Sequence, residues 1–211
     1  MAENIKIDDS RFFDAKRIKD LGDAIFAFAM TFLIVTIDIP KVPLSQLRHE
    51  LVKMLPDILT YVLSFFLLAI FWMTNHIHMK DIKRADSRLV WISMLLFLSI
   101  VFVPLTADIY TFYDGSRLAM LVFNLNMLFV GLIFMLQWHH LAVNKLHHEE
   151  FMPEEIRDRY TISQSLVCVA LVAIIIGLFY PAYSALAYLC LGAYRIHLRS
   201  RWKQKVATPG L

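Results

Sequence analysis

The sequence predicts an all-α, polytopic membrane protein of six transmembrane helices in a single domain spanning residues 1–211, and three observations predict it. The composition is 58% hydrophobic and only 18% charged, with mean hydropathy +0.57, outside the range of soluble domains. Long uncharged runs recur along the chain, each separated by a short charged connector. The basic residues, finally, crowd onto one side of those runs. The small net charge of +3 is spread without an acidic or basic tract of the kind a nucleic-acid partner would need.

The first element, residues 17–40, reads RIKDLGDAIFAFAMTFLIVTIDIP. Between Asp23 and Asp38 lie fourteen uncharged residues, about 21 Å of helix, whereas a bilayer core takes roughly 20 residues. The helix must therefore carry charge into the membrane, and a span of about 14–38 closed by Pro40 meets the length. Charges inside a span cost roughly 2.5–3.5 kcal/mol each unless they pair or line a cavity. Residues 1–17 lack the basic and apolar regions of a cleaved signal, so this helix is expected to stay in the mature protein.

Segment 41–56 follows, with Leu47, Leu51 and Met54 at helical spacing, an amphipathic connector at the outer interface. Three uncharged runs, 58–79, 89–107 and 118–144, predict spans of about 57–79, 87–109 and 117–143. The last run, 161–194, is about 51 Å long as one helix and accommodates two short crossings, about 161–179 and 182–200, hinged at Tyr180-Pro181. With the N-terminus inside, 17 of the 21 Lys and Arg residues fall on the inner side; both termini are expected in the cytoplasm. Cys168 and Cys190 sit in apolar runs without C-x-x-C spacing and read as small buried hydrophobes.

Arg17 and Asp23 are six positions apart and point in different directions on a helix, so each needs partners elsewhere. The end of the second span offers Trp72, Asn75, His76 and His78, and the fourth span offers Asn124 and Asn126, which in lipid hydrogen-bond across helices. A structural network of these groups is the expectation. Along the first helix, Phe28, Thr31, Val35 and Asp38 are spaced by three, four and three, forming one stripe with Phe32 beside it. Such a stripe could face lipid or a neighbouring helix, or line an axial pore as an apolar narrowing, a hydroxyl ring and an outer carboxylate ring. His139, His140, His147 and His148, before Glu149 and Glu150, form the one metal-like cluster, yet no i, i+4 histidine pair fixes a metal frame, and solvated residues with a pH response are the reading preferred.

Arg17-x-x-x-Leu21-Gly22-Asp23 resembles the Arg-x-x-x-Phe-Ser-Asp signature of the transmembrane protein 175 family of potassium channels, and the following Ala-Ile-Phe-Ala-Phe-Ala-Met-Thr is similar to that family's first helix. Phe71-Trp72 with Asn75-His76, Leu89-Val90-Trp91 and Asn124 resemble its later helices. The resemblance implies a homotetramer in which four copies of the first helix line a central pore that K+ permeates. It also implies an apolar constriction carried onto Phe28, Phe32 and Val35, with Thr31 as the hydroxyl. The motif network becomes Arg17, Leu21, Gly22, Asp23, Trp72, Asn75, His76, His78, Trp91 and Asn124, with Asp38 at the outer mouth. Leu21 and Gly22 stand where the family has Phe and Ser, and Phe28 where it usually has Ile or Leu.

The function expected is a passive, potassium-preferring cation channel without an enzymatic step or cofactor, in the plasma membrane, its partners being lipid, permeant monovalent cations and other copies of itself. A proton-coupled transporter with Asp23 and the His76/His78 group as relay, or a non-conducting membrane subunit sealed by its phenylalanines, are the alternatives. No inverted repeat supports the transporter. No nucleophile–base pair or phosphate loop supports an enzyme.

Overall fold

In the computed structural model, residues 12–37, 41–80, 82, 85–113, 115–144, 146 and 153–191 are described. The fold is all-α. A two-residue strand β1 (Phe12–Phe13) precedes α1 (Ala15–Val35), a short α2 (Leu44–Lys53) and α3 (Leu55–Lys80). A second two-residue strand, β2 (Ala85–Asp86), then leads into α4 (Ser87–Phe112), α5 (Arg117–Val143), α6 (Pro153–Phe179) and a 3-10 helix at Pro181–Tyr188. Four stretches are long and apolar enough to cross a membrane: α3, α4, α5 and Arg159–Phe179 of α6. The protein is thus a multi-pass membrane protein. Asp38, Pro40, His147, His148 and residues 192–200, on which several sequence expectations fall, lie outside the described residues.

Local chemistry sets the helix starts. Asp14, Asp86 and Ser116 hold extended backbone and accept from Lys16 N, Leu89 N and Ala119 N respectively, satisfying amides that the first turn leaves orphaned. The chain reverses through Gly115 at φ 73°, a conformation open to glycine without steric cost. β1 and β2 pair antiparallel, Phe12 opposite Asp86 and Phe13 opposite Ala85. That bridge fastens the start of α1 to the start of α4, so the two helices run side by side in one direction and end together at the far side of the bundle.

Within the bundle α5 packs between α4 and α6, while α1 lies across α3 and α4. The core runs through Leu67, Leu68 and Phe71 of α3, Leu96, Ile100 and Val103 of α4, and Met120, Phe123, Val130 and Phe134 of α5. In lipid the driving force is close packing and polar contact rather than water exclusion, and glycines mark the tightest contact. A Cβ at Gly131 would meet the Val167 backbone nitrogen at 3.2 Å and Leu166 C at 3.3 Å, while one at Gly177 would run into the Met120 side chain. Pro104 interrupts the hydrogen-bond ladder of α4. Near that break, Asn126 donates to Ser99 O at 3.3 Å and to Thr106 Oγ1 at 3.4 Å, tying α5 to α4 by polar contacts.

The chain breaks again after Phe179, and the next eight residues are 3-10 rather than α. Tyr110 donates to the carbonyls of Pro181 and Ala182 at 2.9 and 3.0 Å. Tyr188 donates to Asn124 Oδ1 at 2.8 Å, and Asn124 Nδ2 donates to Ser184 Oγ at 3.2 Å. This buried network pins the 3-10 segment to α4 and α5. Cys168 and Cys190 are free and exposed, correcting the expectation that they are buried: each falls on a face that the single chain leaves uncovered.

Candidate functional site

α1 has two unlike faces. Ile18, Gly22, Phe26, Ala29 and Leu33, spaced by four, four, three and four, are buried against the bundle. On the opposite side Arg17, Leu21, Ala24, Phe28, Thr31 and Val35 alternate by four and three, and all six are exposed. Phe28 is 59% and Val35 67% exposed, and Phe32 lies beside them. The Phe28 and Phe32 rings stack at 5.6 Å and 19°, forming one aromatic ledge. Thr31 Oγ1 donates to Ala27 O at 2.8 Å, a back-bond of the usual i−4 type. Its proton is spent within the helix, which leaves the oxygen lone pairs facing outward, where they can coordinate a cation.

The buried face carries the motif contacts, though fewer than the sequence suggests. Trp72 Nε1 donates to Asp23 Oδ1 at 2.7 Å, and the Trp72 ring lies 5.7 Å from that of His76. This joins α1 to α3. Gly22 sits directly on Phe97 and Asn75: a Cβ there would stand 2.8 Å from Phe97 Cζ and 3.1 Å from Asn75 Nδ2. Phe97 thus occupies the space a larger residue at this position would need. Asn75 is fully buried, and neither amide atom has a hydrogen-bond partner among the described residues. A serine at 22, as in the family signature, would put a hydroxyl where Asn75 lacks one.

The remaining expected network members go elsewhere. His78 Nδ1 meets Gln137 Oε1 at 3.0 Å and its ring stacks on Trp138 at 5.2 Å, so it ties α3 to α5. Arg17 and Leu21 are exposed at the head of the outward stripe rather than latched to α3. Trp91 is 76% exposed on α4, and Asn124 belongs to the 3-10 network near the opposite end of the bundle. The correction is one of helix phase and depth: residue type shows that a partner is needed, while the face on which each residue falls decides which partner it meets.

The histidine run also divides. His140 Nε2 stands 3.0 and 2.9 Å from the two Asp86 carboxylate oxygens, and Asn144 Nδ2 donates to His140 Nδ1 at 3.1 Å; the tautomer that fits carries its proton on Nε2. His139 Nδ1 meets the Tyr160 hydroxyl at 3.0 Å. Among the described residues no group of three or more His, Cys, Asp or Glu is placed to hold a metal ion. Two features had no signal in the sequence: the β1–β2 bridge, because two-residue strands have no periodicity, and Asp108, which accepts from the Tyr61 hydroxyl at 2.9 Å.

Fold and site together define a polytopic helical membrane protein whose first helix is bound to the bundle on one side and left unpartnered on the other. Residues 17–104 match the family described as endosomal/lysosomal potassium channel TMEM175, a match that begins at Arg17 itself. The match takes in 88 of the 211 residues, and over them the chain is similar to that family. A potassium channel of Streptomyces collinus is 29% identical over 134 residues, 61% of this chain and 65% of that protein. One of Chamaesiphon minutus is 26% identical over 132 residues, covering 60% and 65%. The chain therefore spans just under two thirds of the length of these relatives. In fold it is similar to the crystal structure of a lysosomal potassium-selective channel TMEM175 homolog from Chamaesiphon minutus, at TM-score 0.75 and 20% identity over 87% of this chain and 97% of that one. A variant of the potassium channel MtTMEM175, solved with a nanobody–MBP fusion, gives TM-score 0.61 at 16% identity over 97% and 99%.

Proposed function

We propose that the protein is a potassium-preferring cation channel, passive and driven by the electrochemical gradient, built as a homotetramer with four α1 helices around the ion path. One observation carries this reading: the stripe from Phe28 to Val35 is exposed along its whole length while the opposite face of α1 is fully packed. A membrane helix that contributes one face to its own bundle and holds a threonine between aromatic and apolar rings on the other is suited to a shared axis. There Phe28, Phe32 and Val35 form the constriction, where a narrow apolar passage can gate by dewetting, and the Thr31 hydroxyls replace part of a hydration shell. The expected outer-mouth carboxylate, Asp38, lies outside the described residues.

The proposed topology has six spans in the plasma membrane, α1 and a crossing at about 182–200 joining the four apolar ones, with both termini in the cytoplasm. α1 is 21 residues long, about 31 Å at 1.5 Å per residue, which matches the bilayer core when its charged first turns are carried into the membrane. In the alternative, Asp23 and the His76/His78 group would form a proton relay, but Asp23 accepts from Trp72, whose ring lies between it and His76, and His78 turns to Gln137. The test is ion-substitution flux in liposomes holding purified, monodisperse protein. Potassium flux exceeding that of sodium, without saturable coupling to protons, is expected. Folded tetramers that pass no potassium would overturn the channel reading.

A further inference from the structure

Asp108 is an ionisable residue in the last turn of a membrane-spanning helix, and among the described residues no basic side chain pairs with it. Tyr61 donates to Oδ1 at 2.9 Å, and Thr111 Oγ1 lies 3.2 Å from the same tyrosine hydroxyl. Tyr61 is itself buried, so the carboxylate is held in place by a fixed donor while remaining half-exposed. α1 packs against both α3, which carries Tyr61, and α4, which carries Asp108. Asp108 therefore stands at the same end of the bundle as the end of the helix proposed to line the ion path.

α1 and α4 start together at the β1–β2 bridge and finish together here, where their negative helix ends stand beside the positive ends of α3 and α5, so that the helix dipoles largely offset one another. Neither has a basic residue in its last turn. By contrast α3 and α5, which end at the other side, carry His78 and Lys80, and His140, in theirs. Scarcity of basic residues on an outer face is ordinary; a fixed, unneutralised carboxylate added to it is not, since such a charge is costly unless used.

On the reading of α1 as pore helix, we infer that Asp108 sets cation entry: four copies, clamped by Tyr61 level with the outer ends of α1, supply a negative field that concentrates monovalent cations at the outer mouth. The charge acts at a distance and need not touch the ion. Its effect must then follow ionic screening, whose length is about 30 Å at 0.01 M and about 3 Å at 1 M salt.

The experiment measures outside-to-inside potassium conductance in planar bilayers at about 10 mM and about 1 M salt. Asp108→Asn is expected to lower conductance roughly threefold at the low concentration and to match wild type at the high one, with Asp108→Glu restoring it. Phe112→Lys leaves the carboxylate intact and places a cation four residues on, at an exposed position, and is expected to reproduce the deficit even if Asp108→Asn fails to assemble. A deficit of equal size at both salts, or none at either, overturns the inference. A deficit that appears when only the inner solution is dilute overturns it as well. Wild-type protein without current overturns the channel reading instead, and is told apart by that control.

Discussion

Gly22 shows how one side chain can decide what its neighbours do. Where the family signature has serine this chain has glycine, and the Phe97 ring fills the vacated space while neither amide atom of Asn75 has a partner among the described residues. Gly22→Ser is therefore expected to destabilise by about 1–3 kcal/mol through overpacking, read as a lower unfolding midpoint in detergent. Adding Phe97→Leu makes room, lets the new hydroxyl meet Asn75, and should recover most of the loss. Thr31 offers a second test at this scale. Its hydroxyl proton is committed to Ala27 O, so Thr31→Val keeps the shape and removes the outward lone pairs. Potassium-over-sodium preference is expected to fall roughly two- to tenfold, as about 0.5–1.5 kcal/mol of lost polar contact implies; bi-ionic reversal potentials measure it. The need for partners at Asp23 and Asn124 was legible from residue type alone. So was Trp72 among the partners open to Asp23; the Ser184 and Tyr188 partners of Asn124 were not, because only packing sets its face and depth.

Among the elements, α3, α4 and α5 could be read from uncharged runs because the length of a span is dictated by the bilayer. α1 could not be read that way: its 21 residues include five charges, and hydropathy alone passes over it. The 3-10 segment at Pro181–Tyr188 replaces the start of an α-helix, since Tyr110 captures the Pro181 and Ala182 carbonyls, long-range bonds that no local pattern announces. The contact between α5 and α6 rests on two glycines whose surroundings differ. Gly131 faces backbone atoms of Leu166 and Val167, whereas Gly177 faces the flexible Met120 side chain. Gly131→Ala is thus expected to lower the unfolding midpoint, by an amount equivalent to about 1–3 kcal/mol, and Gly177→Ala by clearly less, because Met120 can swing away. Equal losses would mean that α6 shifts as a rigid body instead.

At the scale of the whole molecule, the likeness to potassium channels rests on residues 17–104 and the helical bundle on its packed core, while the proposed assembly is supported by what the single chain leaves open. α1 is bolted to α4 through the β1–β2 bridge and to α3 through Asp23 and Trp72, so its outward stripe is held rigidly by the bundle behind it. The most direct measurement is potassium flux through single-cysteine variants in a background carrying Cys168→Ser and Cys190→Ser, before and after a water-soluble thiol reagent. Block at Thr31→Cys and Val35→Cys is expected, with none at Leu98→Cys, which is 54% exposed in the single chain but lies on α4. Undiminished flux at both α1 positions despite labelling, or block at Leu98→Cys alone, would contradict a pore lined by the first helix.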